Sequence, residues 1–245
     1  MSVVVYMFHS IGRLENNDTA DKHYNYSMEN FCKLLTGVGP VTSIENNHLN
    51  RSLGSHVATF DDGHISNYHA AVTMHENDLG VADFFINPGM VGTKYFMDWS
   101  QLREISNLGM SIQSHSFDHV YLSDCSDAEQ LEQLKNSKST IEDKLGQEVA
   151  VLAPPGGRYN KRTIDIARTL GYKTITSSKP GVWSALDQKI IPRIPVLLND
   201  TPGKLISCTD KSSVYVKRLK TKYYVTGLAK KVEPIIVGKH LENRI

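Results

Sequence analysis

Apolar residues fall along this chain in short, nearly continuous runs separated by longer stretches with one apolar face. Val3-Val4-Val5-Tyr6-Met7-Phe8 is the first such run, and Val81-Ala82-Asp83-Phe84-Phe85-Ile86 is another. Runs this short and this apolar read as strands buried on both faces. The pattern predicts strands over residues 3–8, 55–60, 81–87, 110–115, 149–153, 173–176 and 190–196, with a further short one over 41–44. Helical periodicity fills the intervals: from a Ser27 cap to Leu35, and over 65–77, 99–108, 126–145 and 161–170. Ser126 is a plausible N-cap, and Gly80, Gly109 and Gly171 are natural stops. Strand and helix in repeated alternation favour a parallel sheet or barrel, whose chemistry gathers at the C-terminal strand ends.

Two of those ends carry reactive side chains. Thr59-Phe60-Asp61-Asp62-Gly63 places two adjacent carboxylates where a strand turns away. Neighbouring side chains on an extended segment point to opposite sides, so one carboxylate can hold a metal while the other faces water or substrate. A solvated turn is the plainer reading, since Asp-Asp-Gly is good turn chemistry. About fifty residues on, Ser114-His115-Ser116-Phe117-Asp118-His119 ends another strand. Two histidines at this spacing suit one metal ion, and a carboxylate with two imidazoles is a common catalytic zinc set.

Together these stretches resemble the first two motifs of the polysaccharide deacetylase superfamily, the NodB-homology group or carbohydrate esterase family four. The resemblance covers about residues 1 to 197 and includes the 81–86 strand and the helix start at Asp98-Trp99-Ser100-Gln101-Leu102. It implies an α/β fold, a distorted (β/α) barrel. It implies one divalent ion, zinc first and Co2+, Ni2+ or Mn2+ as alternatives, held by Asp62, His115 and His119, with Asp61 as the general base. The family's late Leu-x-His acid is missing here. The permuted poly-N-acetylglucosamine deacetylase branch takes that histidine from the end of its first strand, and Phe8-His9 resembles it. On residues alone, His9 would be a core histidine; the resemblance makes it the general acid.

Ala153-Pro154-Pro155-Gly156-Gly157-Arg158 resembles the third family motif, with Pro155 and Gly156 facing substrate and a backbone N–H there as oxyanion donor. Ala153 stands where an arginine often orients the catalytic Asp, and Gly156 where an aromatic usually sits. Arg193 is the candidate to replace that arginine and is counted with the substrate-binding residues. Trp183 resembles the aromatic groove wall, its alternative being core packing, with Tyr95 and Phe96 as further groove candidates.

Composition narrows the partners. The 245 residues are 40% hydrophobic and 22% charged, with a net charge of +1, which gives no pull toward nucleic acid. The three cysteines, Cys32, Cys125 and Cys208, are scattered and odd in number, and the apolar N-terminus lacks a basic flank and a cleavage site. Both features suggest a cytoplasmic protein. Residues 198–245 fall outside the resemblance and are expected to form a basic helical extension packed on the barrel. Lys211, Lys217, Arg218, Lys220, Lys222, Lys230 and Lys231 lie there with no acid between them. A solvated face is the default reading; the sharper one is attraction to a membrane surface or to a nucleotide- or lipid-linked sugar. The expected activity is removal of an acetyl or formyl group from a sugar amide in envelope, lipopolysaccharide or other surface-glycan synthesis. A non-sugar or cyclic amide hydrolase, or a non-catalytic sugar-binding homologue, are the alternatives.

Overall fold

The computed structural model describes residues 3–49, 56–210 and 213–232. Among the described residues there are ten strands: β1 Val4–Phe8, β2 Ser10–Ile11, β3 Asn25–Tyr26, β4 His56–Phe60, β5 Asp83–Ile86, β6 Ser111–Ser114, β7 Val151–Leu152, β8 Thr174–Ser177, β9 Ile190–Pro192 and β10 Ile194–Pro195. The helices are α1 Met28–Val38, α2 Ile44–Leu49, α3 Ile65–Glu76, α4 Trp99–Asn107, α5 Asp127–Leu145, α6 Lys161–Thr169, α7 Pro202–Ile206 and α8 Val214–Val232. Of the strand expected over 55–60, Ser55 lies outside the described residues.

Eight strands form one all-parallel sheet in the order β10-β1-β4-β5-β6-β7-β8-β9. The two ends of that order are halves of one extended segment. Ile190–Pro192 pairs with β8, and Ile194–Pro195 pairs with β1. The sheet therefore curls into a nearly closed (β/α) barrel. The continuous strand expected over 190–196 is broken at Arg193, because Pro192 and Pro195 lack an N–H for the ladder. The Arg193 N–H is turned instead to the Lys179 carbonyl at 3.2 Å.

The strand expected over 41–44 is corrected as well. Val41 and Thr42 make only isolated bridges, to Gly80 and Val57. Ser43 then starts α2, its hydroxyl accepting from the Asn46 N–H at 3.0 Å. Other caps fall where the sequence places them. Ser27 and Ser126 cap α1 and α5, and Asp98 forms a capping box with Gln101 at α4.

The period-2 alternation of the strands divides the core in two. Val4, Tyr6, Phe8, Ala58, Phe60, Phe84, Ile86 and Ile112 face outward and pack under α1, α3 and α4. Val5, Val57, Phe85, Val151 and Ile191 face inward and pack with Trp183. The same parity carries Thr59, Gln113 and Arg193 into the barrel, all fully buried. Gln113 accepts from the Ala150 and Val151 N–H groups at 2.9 and 2.8 Å, starting β7 inside the barrel. Beyond the barrel, α8 is docked by Val216 and Leu219 in the outer core and by a Tyr215 hydroxyl bond to Asp200 at 2.6 Å. Lys211 and residues 233–245 of the expected extension lie outside the described residues.

Candidate active site

Strand parity dictates which way the two adjacent carboxylates turn. Asp61 continues the inward series Val57, Thr59 and is almost fully buried. Asp62 adopts a φ of 73°, which swings its side chain out of the strand direction and leaves it about a third exposed at 32%. Positive φ is costly for a residue with a Cβ. Two more such residues, Ser116 and His119, stand in the facing loop.

Asp62 Oδ1 lies 3.1 Å from both His115 Nε2 and His119 Nε2. The His115 Nδ1–H donates to the Ala153 carbonyl at 2.6 Å. A carbonyl can only accept, so this bond fixes the tautomer and aims a nitrogen lone pair at Asp62. A lone pair facing a carboxylate is repulsive unless a proton or a cation lies between them. The three ligand atoms lie within 4.8 Å of one another. One oxygen and two imidazoles, that of His115 with its tautomer set, therefore fit a divalent ion of the zinc type. Burial pushes the Asp62 carboxyl up, but the His115 and His119 imidazoles beside it outweigh that and hold it well below the usual carboxylate range. The Asp62 bond in turn raises His119.

The loop bearing the histidines is fastened from both sides. The Gln133 side-chain oxygen on α5 accepts from the Phe117 and Asp118 N–H groups at 3.1 and 2.9 Å. Its amide donates to Asp118 at 2.9 Å. Asn87, after β5, donates to the His115 carbonyl.

Asp61 is clamped by Arg193, with Nη1–Oδ1 at 2.6 Å and Nη2–Oδ2 at 2.7 Å. The same guanidinium donates to Thr59 at 3.1 Å and lies 5.4 Å from the Phe85 ring centroid. Burial raises the Asp61 carboxyl, and the Arg193 charge, helped by His115 and His9, brings it below its ordinary value.

His9 ends β1 in the inward series and opens on the same cleft as Asp61, Asp62, His115 and His119. Its ring packs on Tyr24 at 4.5 Å. Its backbone carbonyl accepts from Asn67. The ring Nδ1 is buried with no hydrogen-bond partner.

The cleft measures about 1360 Å3. Gly156 lines it with a φ of 60°, and a Cβ there would come 2.8 Å from the Tyr121 ring. Phe96 also lines it. Tyr95 is not among the lining residues, and three more expected groove residues belong elsewhere. Trp183 is fully buried at the N-terminal mouth of the barrel, exchanging backbone hydrogen bonds with Val3 at 2.7 and 2.9 Å. It is core packing at the end opposite the cleft. Arg193 is also fully buried, with both guanidinium nitrogens on Asp61, and does not line the cleft. Pro155 is buried beneath the loop, and its neighbours Gly156, Gly157 and Arg158 face the cleft instead.

Sequence reasoning missed much of the cleft wall. The polar loop before α1 contributes Thr19, Asp21 and Tyr24, and α8 contributes Leu219, Lys222, Tyr223 and Tyr224. The interleaved tyrosines of the basic tail were the available signal for α8.

A polysaccharide deacetylase family profile matches residues 50–175, which hold both carboxylates and both histidines. This chain belongs to the polysaccharide deacetylase family. YxkH of Bacillus subtilis (strain 168), named for the same family, is 30% identical over 126 residues, 51% of this chain and 45% of its own length. The chain thus spans under half of that curated relative. Among solved structures, the Streptococcus pyogenes deacetylase PplD in complex with acetate is 26% identical with a TM-score of 0.77, covering 86% of this chain and 99% of that one. IcaB from Ammonifex degensii shares the fold at 22% identity and a TM-score of 0.69, covering 85% of this chain and 95% of its own. The profile ends before Arg193 and before α8, which supplies part of the cleft wall.

Proposed function

We propose that this chain is a metal-dependent N-deacylase that hydrolyses an acetyl or formyl amide on a sugar derivative used in surface-glycan synthesis. The observation that carries the reading is the joint opening of an Arg193-clamped Asp61, the Asp62–His115–His119 cluster and His9 on one cleft. A bound divalent ion would supply Lewis acidity there, acidifying a water and polarising the acyl carbonyl.

The chain's own groups do the rest. Asp61, kept ionised by Arg193, takes the proton of the attacking water. The N–H groups of Gly157 and Arg158 are committed to the Pro154 and Pro155 carbonyls at 2.9 and 3.1 Å. Gly156 N–H is therefore the donor for the developing oxyanion. His9 delivers a proton to the nitrogen as the C–N bond breaks, because an amine leaves poorly unless protonated. The products are a free amine and acetate or formate.

The size of the cleft and its tyrosines favour an extended sugar substrate over a small cyclic amide, whose pocket would be small and closed. The intact donor set disfavours a purely binding role. No described helix is long and apolar enough to cross a membrane. A cytoplasmic, nucleotide- or lipid-linked sugar substrate is the form of the proposal that the scattered cysteines and the basic tail support.

Elemental analysis of protein purified without chelator, paired with acetate and formate release from N-acyl sugars, tests the reading. Stoichiometric zinc and release that disappears in Asp61→Asn is expected. Bound metal with no release from any sugar would overturn the substrate class, and failure to bind supplied zinc would overturn the ligand set.

A further inference from the structure

Tyrosines and cations gather along one side of the cleft. Tyr121 lies over Gly156, and the Arg158 guanidinium sits 4.2 Å from the Tyr121 ring centroid. Gly157 packs against Ser178, where a Cβ would meet the hydroxyl oxygen at 2.5 Å. The next residue, Lys179, holds its ammonium 5.4 Å from the Tyr224 ring centroid. Tyr224 is on α8, where Lys222 and Tyr223 face the same cleft. Tyr121, Tyr223 and Tyr224 are 42%, 37% and 51% exposed, so each keeps part of its side chain open to solvent beside these contacts. One carboxylate in this band, Asp124, is paired with Arg158 at 3.4 Å.

Tyrosine faces stack on the apolar faces of sugar rings, and lysines pair with anionic oxygens. We infer that this band, built by α8 against the loops after β6, β7 and β8, is a subsite for an acidic glycan. The sugar rings flanking the reacting N-acyl sugar stack on Tyr121, Tyr223 and Tyr224. A phosphodiester or carboxylate on them pairs with Lys179 and Lys222. The subsite deepens the deacylase reading and rests on it only for what happens at the neighbouring Asp61.

Calorimetric titration of the full chain separates the two claims. The probes are a neutral tri-N-acetylglucosamine, the same trisaccharide bearing a phosphodiester, and one bearing a glucuronate; acyl release is followed in the same samples. Wild type is expected to bind the acidic forms about tenfold tighter than the neutral one at low salt, with the advantage shrinking as salt rises. A Lys179→Gln/Lys222→Gln protein, checked for a native circular dichroism spectrum, should lose most of that advantage. Tyr224→Leu should weaken all three ligands together. Whichever acidic form binds tighter names the anion. Equal affinity for all three probes, or an acidic preference that survives the double substitution, would overturn the subsite. An acidic preference without acyl release would keep the subsite and sink the deacylase reading; release without the preference would do the reverse.

Discussion

Two carboxylates stand inside the same barrel at opposite ends, and they are treated in opposite ways. Asp61, at the C-terminal strand ends, meets Arg193 on both oxygens and is held below its ordinary pKa. Asp83, at the start of β5, is equally buried. Its Oδ2 accepts from the Ile44 N–H at 2.6 Å, and its Oδ1 has no hydrogen-bond partner. Burial pushes Asp83 up to about 7, only partly offset by the Ile44 and Ser111 hydrogen bonds. Burial is therefore not what makes a carboxylate a base. A fixed cation beside it is, because an interior charge persists only when it is paired. Near neutrality the base of the barrel can carry a neutral acid, while its top carries an anion.

The largest expected break in this comparison is at the top. Asp61→Asn keeps the shape but removes the proposed proton acceptor, and turnover should fall about a hundred- to ten-thousand-fold. Zinc content should hold, since Asp62, His115 and His119 are untouched; metal lost along with activity would reverse the roles of the two carboxylates. Arg193→Met leaves Asp61 buried without its cation, which should cost about 3–5 kcal/mol of stability. The same change should raise the pKa of Asp61. The acid limb of the kcat/KM profile would then move to higher pH, because a base that protonates sooner is lost sooner as pH falls. An unmoved limb in a folded Arg193→Met protein would show that Arg193 does not set the charge of Asp61.

How much of this was legible in the sequence follows from separation along the chain. Asp61, Asp62, His115 and His119 sit at strand ends, where a local run of apolar residues already fixes strand and parity. The clamp on Asp61 joins residues 132 apart and exists only because the segment through Arg193 closes the ring. Nothing local to Arg193-Ile194-Pro195 says that its guanidinium reaches Asp61, so the sequence supplied only a candidate. Resemblance alone puts Trp183 at the groove, since a lone tryptophan carries no periodic signal for the end of the barrel to which it belongs. The two prolines that break the last strand were visible, but their effect on the ladder depends on which N–H groups the neighbours need.

Trp183 offers the next break, at the base of the barrel. Its ring fills the interior against Val3, Val5, Val57 and Ile191. Trp183→Ala should cost about 3–5 kcal/mol through the cavity it leaves. Below the shifted melting temperature, KM for an oligosaccharide should stay at the wild-type value, because the residue lies at the end away from the cleft. A raised KM with unchanged stability would restore Trp183 to the groove.

The smallest effect, and the one that tests the comparison most directly, is the pH dependence carried by Asp83. Its folded pKa of about 7 lies above the unfolded value near 3.8. Between those values the folded state binds more protons than the unfolded one, so stability should decline as pH rises from about 4 to about 7 and flatten beyond. Asp83→Asn retains an oxygen for the Ile44 N–H and cannot ionise. Other groups, including the buried pair at Asp61, titrate in both proteins, so the difference between their curves is the quantity to read. Urea midpoints at pH 5, 6, 7 and 8 should show the variant gaining on wild type across the first three points and holding its lead at the last. Parallel curves would mean that Asp83 finds a compensating charge in solution, and that the two ends of the barrel differ less than their hydrogen bonds imply.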